Sequence, residues 1–112
     1  MTDDVLQRLA AVIRSRRDES AASSYTRQLL DAGTERCAKK LGEEATETVI
    51  AALGTDASAL TREAADLVYH LLVLLECRQV PWQDVIAELQ SRTGTSGLAE
   101  KASRSVKSGP PP

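Results

Sequence analysis

Apolar residues recur at helical spacing from the start of the chain. Val5, Leu6, Leu9, Val12 and Ile13 fall three and four positions apart, the spacing that gathers side chains on one face of an α-helix. Thr2 is a candidate cap for this helix, and Asp3 and Asp4 suit its positive end. The pattern breaks at RSRRDESAASS, whose charges and small polar residues predict a loop. Ser24 can cap a short second helix, YTRQLLDA, which Gly33 stops. A third helix is expected from Thr34 to Leu53. Leu41, Ala45, Thr48 and Ala52 form its core-facing stripe, with Val49 and Leu53 beside it and Gly54 as terminator. Ser58 is the candidate cap of a fourth helix, which runs through Leu60, Ala64, Leu67, Leu71, Leu74 and Leu75 to about Arg78. Pro81 suits the first turn of a fifth, PWQDVIAELQSR, closed by Gly94. Ser96 can cap a last short turn in GLAEKASR.

Strand-type clusters of Val, Ile, Thr and aromatics are absent, so the chain reads as all-α, a bundle of four to five helices. Residues 1–104 are expected to form one domain and residues 105–112, SVKSGPPP, a disordered tail. The fourth helix is apolar almost all round. A helix without a polar face needs burial on every side, and so few helices can hardly surround it. It is therefore expected in a subunit interface, and the bundle is expected to be completed by dimerisation.

Composition narrows the function. The 112 residues carry a formal charge of −2, which gives no electrostatic case for nucleic acid or a membrane surface as partner. The longest apolar run, Leu71 to Leu75, is far too short to span a bilayer. The acidic, amphipathic N-terminus does not resemble a signal peptide. Cys37 and Cys77 lie far apart in sequence inside helical patterns, and read as reduced thiols of a cytoplasmic protein.

The candidate chemistry lies in the acids. KLGEEATE places Glu43, Glu44 and Glu47 in a narrow arc of the third helix, away from the Leu41, Ala45 and Thr48 stripe. Lys39 lies four before Glu43, and Lys40 four before Glu44. Taken alone, EExxE describes an ordinary solvated face with Lys–Glu pairs. Glu63 and Asp66 share a face of the fourth helix, and Asp66 is surrounded by apolar residues on a helical wheel. A helix-start preference explains Glu63 but not Asp66, whose burial would demand a partner or a metal.

A short connection from Gly54 to Ser58 makes the two helices antiparallel neighbours. At about 1.5 Å of rise per residue, the two acidic pairs reach nearly the same height. Ligands that are all oxygen select Mg²⁺, with Mn²⁺ as a substitute, and Mg²⁺ commonly shares its coordination with phosphate oxygens. A di-iron centre needs Glu-x-x-His on two helices. The one histidine, His70, lies four after Asp66 and reads as a core residue or a partner of a ligand.

Glu43-Glu44-x-x-Glu47 followed by Glu63-x-x-Asp66 resembles the MazG-like all-α nucleotide pyrophosphohydrolases. Within that superfamily, Ser24-Tyr25-Thr26, KKLGEEATE, EAADLVYHLLVLL and the ending RTGTSGLAEKASR resemble the phosphoribosyl-ATP pyrophosphatase family. The resemblance runs from about Val5 to Arg104. It implies Mg²⁺-dependent hydrolysis of phosphoribosyl-ATP to phosphoribosyl-AMP and pyrophosphate, in histidine biosynthesis. It implies Glu44, Glu47, Glu63 and Asp66 as metal ligands, with Glu43 as a further ligand or as the residue that orients the attacking water. Glu43 or Glu47 would accept the water's proton.

Lys39 and Lys40 could hold phosphates or remain a solvated pair. Ser24 and Tyr25 could contact base or ribose, or only cap and pack. Arg92, Lys101 and Arg104 could close over phosphates from either subunit, or serve solubility. Leu53 departs from the family, which commonly has a lysine there. The chain also lacks the cyclohydrolase domain fused to this enzyme in some organisms, so a monofunctional form is expected. A general house-cleaning nucleotide pyrophosphatase and a non-catalytic dimerisation module stay open as alternatives.

Overall fold

The computed structural model describes residues 4–93. Among them there are five α-helices, one 3-10 turn and no strand, so the all-α expectation holds. The helices are α1 (Asp4–Ser15), α2 (Tyr25–Ala32), α3 (Thr34–Leu53), α4 (Ala57–Cys77) and α5 (Trp82–Ser91). One compact unit ends at Trp82 and a second begins at Gln83.

Local chemistry sets most of the boundaries. The stretch expected as a loop contains a 3-10 turn, Arg16–Asp18. Its path is held by Arg27, whose Nη1 donates to the carbonyls of Arg17 (2.8 Å) and Glu19, and by Gln28 Nε2 donating to Ala21 O (2.6 Å). Ser24 caps α2, its Oγ accepting from the Arg27 amide at 3.1 Å. Gly33 joins α2 to α3 at φ +94°, a conformation that L side chains rarely adopt. A Cβ at this position would meet nothing within 4 Å, so backbone conformation rather than crowding calls for glycine.

The cap of α4 is Asp56 rather than Ser58. The Asp56 carboxylate accepts from the Ser58 amide at 2.9 Å, so the helix begins two residues before the serine could cap it. At the other end the Val80 amide donates to Leu75 O (2.8 Å) and the Gln79 amide to Glu76 O (3.0 Å). This is a Schellman closure with Gln79 in the left-handed position at φ +59°. α5 starts at Trp82, one residue later than expected. The expected turn after Ser96, the closing Gly94 and the tail lie outside the described residues.

The core of the first unit gathers at one end. Ile13 of α1, Leu29 and Leu30 of α2, Cys37 of α3, and Leu72 and Val73 of α4 are buried against one another. Leu6, Leu9, Val68, Tyr69 and Trp82 pack around them. Glu76 fastens α4 to α1 and the turn after it: Arg17 Nε donates to Oε2 at 2.7 Å, and Arg14 Nε to Oε1 at 3.3 Å. Both cysteines are free. The Cys37 thiol donates to Leu29 O (3.2 Å), and burial, then the neighbouring Cys77, pushes its pKa up to about 11.

α3 and α4 pack along one another as the principal contact of the fold. Beyond the core, however, residues 41–67 of this hairpin include no fully buried residue. The expected stripe on α3 is only partly covered: Leu41, Ala45 and Thr48 are half-buried and Ala52 is exposed. Val49, Ile50 and Leu53 are 59%, 64% and 83% exposed. α4 is less uniformly greasy than its sequence suggested. Thr61, Arg62, Ala65 and Asp66 give its N-terminal half an exposed face. The uncovered apolar surface of the hairpin therefore belongs to α3, because α1 and α2 shelter only the opposite end.

Two substitutions test this distribution. Leu72, 2% exposed, should cost about 2–5 kcal/mol of unfolding free energy when cut to alanine. Gln79→Gly should instead raise stability by up to about 1 kcal/mol by removing a side chain from the left-handed position. Urea titrations of both variants, followed by far-ultraviolet circular dichroism, measure the two effects.

Candidate metal centre

The acidic site is built on the exposed half of the α3–α4 hairpin. One carboxylate oxygen each of Glu44, Glu63 and Asp66 lies within 4.8 Å of the other two. Of the four acids expected at one height, the two helices bring together residues 44, 63 and 66. Thr48 pins the helices at this level. Its hydroxyl reaches two carbonyls, Glu44 O on its own helix (2.8 Å) and Glu63 O on α4 (3.2 Å), and its one proton serves either. The sequence pattern assigned Thr48 to packing alone. A threonine inside an apolar stripe was the available signal.

The buried oxygens are not where the helical wheel put them. Asp66 is exposed, whereas Glu63 is half-buried. Glu63 Oε1 and Glu44 Oε2 are both buried without a hydrogen-bond partner. The wheel counted apolar neighbours along α4 and overlooked that the hairpin is open on the side Asp66 faces. Glu63 is covered instead by α3. Burial, then the charges of Glu47, Asp66 and Glu44, raise the Glu63 pKa above the ordinary carboxylate value. Orphaned carboxylate oxygens are costly unless something neutralises them. A cation fits this donor set, and three oxygens favour a hard one.

The other expected residues fall into distinct places. Glu47 is exposed and outside the mutually close trio, yet it is near enough to Glu63 to affect its protonation. Glu43 is exposed and turned along α3, where its Oε1 accepts from Lys40 Nζ at 3.2 Å. That hydrogen bond is the main reason its pKa is lowered. Lys40 thus pairs with the glutamate three residues on, rather than with Glu44 four on, and Lys39 is exposed. Ser24 is buried in its capping role, while Tyr25 beside it is exposed.

Arg92 Nε donates to Glu88 Oε2 (3.1 Å). Lys101 and Arg104 lie outside the described residues. His70 is buried, with its Nε2 3.9 Å from Glu44 Oε1. Burial lowers its pKa, against the opposing pull of Glu44.

Fold and centre together define an all-α protein with a carboxylate-only site suited to a cation. A family model described as phosphoribosyl-ATP pyrophosphohydrolase matches residues 6–93, and the chain belongs to that family. It is 56% identical over 99 residues to the phosphoribosyl-ATP pyrophosphatase of Jannaschia sp. (strain CCS1), covering 88% of this chain and 97% of the relative. Its identity to the protein of that name from Agrobacterium fabrum is 54% over 99 residues, covering 88% and 92%. For the one from Novosphingobium aromaticivorans it is 53% over 102 residues, covering 91% and 95%.

The crowding has a measurable signature. With metal removed by a chelator, Glu63→Gln should melt at a higher temperature than the wild type at pH 7. A carboxyl whose folded pKa is raised favours folding below its unfolded value and loses that contribution as pH rises through the folded value. The gap between variant and wild type should therefore shrink as pH falls toward about 4.3, the unfolded glutamate value. Thermal scans across that range in chelator check the sign.

Proposed function

We propose that this chain hydrolyses phosphoribosyl-ATP to phosphoribosyl-AMP and pyrophosphate, the second step of histidine biosynthesis, using Mg²⁺ for which Mn²⁺ can substitute. One observation carries the reading: Glu44, Glu63 and Asp66 converge with two buried, unpartnered oxygens in a chain of this family. Glu44, Glu63 and Asp66 would hold the ion, with Glu47 completing the set. When bound, Mg²⁺ neutralises polyphosphate charge and acidifies water.

The chain's own groups do the rest. Water supplies the oxygen of the new P–O bond, the anhydride bond between the α and β phosphates breaks, and pyrophosphate departs. Glu47, free of a cationic partner in hydrogen-bond range and next to Glu63, accepts the water's proton. Glu43, tied to Lys40, is the poorer base, and the pair instead holds the approach to the site. Lys39 and Lys40 supply positive charge for the phosphates. Tyr25, exposed beside the buried Ser24 cap, offers a ring face to the base or ribose. Arg92, Lys101 and Arg104 are carried as phosphate-binding residues on the family resemblance alone.

We further propose that the working form is a homodimer in the cytoplasm. Residues 41–67 lack any fully buried side chain, and this half of α3 and α4 leaves large apolar side chains in solvent. A partner laid on Val49, Ile50 and Leu53 would supply the missing burial. The free thiols fit a reducing compartment.

Pyrophosphate release from phosphoribosyl-ATP and from the common nucleoside triphosphates tests the substrate. Phosphoribosyl-ATP should be turned over fastest, and chelation should abolish turnover. Faster hydrolysis of a common triphosphate would transfer the chain to general nucleotide clearance. Glu47→Gln should lower kcat about 10²–10⁴-fold, and Asp66→Asn should abolish turnover, with the dimer intact in both. In sedimentation velocity, Ile50→Glu and Leu53→Glu should shift the protein toward monomer. Unchanged sedimentation of both would place the interface elsewhere.

A further inference from the structure

His70 lies outside the set of close carboxylates and is not needed to hold a cation. It is nevertheless one of only three buried polar or charged side chains among the described residues. Its ring has little freedom. It forms T-shaped contacts with Tyr69, at a centroid distance of 4.9 Å and an interplanar angle of 78°, and with Tyr25, at 6.3 Å and 86°. Tyr69 is itself fixed by a hydrogen bond with the Thr26 hydroxyl of α2. The chain of contacts therefore runs from α2 through Tyr69 to His70 and ends at Glu44 of α3, with Nε2 3.9 Å from Oε1.

We propose that His70 is a positioning residue for Glu44. The imidazole Nε2–H is directed at Oε1 and fixes the rotation of the carboxylate, leaving the buried, unpartnered Oε2 as the oxygen given to the cation. The observed separation is long for a direct hydrogen bond, so the proposed contact requires the Glu44 carboxylate to move toward the ring when the cation binds. Partners of ligating groups commonly orient them in this way. Glu44 needs such help more than its neighbours. Its side chain is held by no cation, whereas Glu43 one residue earlier is held by Lys40. The two tyrosine rings limit the rotation of the imidazole, and His70 itself is only 6% exposed.

The inference rests on the proposed metal centre, and binding of Mn²⁺ alone separates the two. The free-Mn²⁺ electron paramagnetic resonance signal gives affinity without any turnover, and a thermal scan in chelator gives the stability of the same sample. Wild type that binds no Mn²⁺ overturns the metal-centre reading itself. Given wild-type binding, His70→Leu should weaken affinity about 10–100-fold with no loss of melting temperature in chelator. His70→Gln, whose amide can present an N–H at a similar reach, should recover most of that loss. Wild-type affinity in His70→Leu, or equal losses in the leucine and glutamine variants, overturns the positioning role while leaving the centre standing. Should the leucine variant fail to fold, His70→Asn replaces it. Its shorter amide should bind Mn²⁺ more weakly than glutamine, and equal affinity would again overturn the proposal.

Discussion

Three carboxylates held within a few ångströms across the α3–α4 seam are the constraint around which this protein is arranged. Like charges at that range repel, and burial of Glu44 Oε2 and Glu63 Oε1 denies them the water that would screen it. They cannot move apart, because the helices that carry them are packed along one another and pinned at Thr48. The connection between α3 and α4 spans only Gly54 to Asp56, so their register has little slack. A fold that confines negative charge in this manner stores an affinity for whatever neutralises it. Protonation relieves the repulsion, in keeping with the upward push of burial and Glu47 on the Glu63 pKa, and a divalent ion would relieve it at neutral pH.

The confinement depends on unequal packing along the hairpin. At one end α1 and α2 bury Cys37, Leu72 and Val73, and Glu76 is locked by Arg14 and Arg17. That end is the anchor. At the other end Val49, Ile50 and Leu53 stand exposed, and the connection is exposed as well. The acids sit between the two, where the backbone is held from one side and open from the other. Such a place holds the carboxylates in register while leaving one side of them open to solvent. It also makes the site sensitive to whatever covers α3, so a partner molecule there would stiffen the centre without touching it.

Much of this was legible in the sequence because helices announce themselves locally. Ser24, Gly33 and Gly54 marked boundaries that the structure keeps, and counting residues on either side of the turn brought Glu44 level with Glu63 and Asp66. What the pattern could not supply was depth. A helical wheel ranks the neighbours of a residue on its own helix, but burial is decided by other elements. Asp66 therefore looked buried and is exposed, while Glu63 looked like a helix-start acid and carries a buried oxygen. The same blindness put the uncovered apolar face on α4 rather than α3. Asp56 outranked Ser58 because the earlier acid already satisfied the Ser58 amide. Lys40 chose Glu43 because Glu44 is turned inward toward His70.

EExxE is written with one residue type, yet each glutamate meets a different environment. Successive positions on a helix are rotated by about 100°, so adjacent residues cannot share surroundings. Glu43 looks along the surface and is neutralised by Lys40. Glu44, one step round, enters the seam, where no lysine follows it and an imidazole stands in the lysine's place. Glu47, a turn further, reaches the same seam from its outer edge and stays in water. Glu47 stays accessible to solvent, Glu44 has a buried, unpartnered oxygen in the seam, and Glu43 is taken up by the lysine. Three identical side chains thus differ in chemistry because helix geometry delivers them to three dielectric settings, which is why the motif means little on a surface helix and much beside α4.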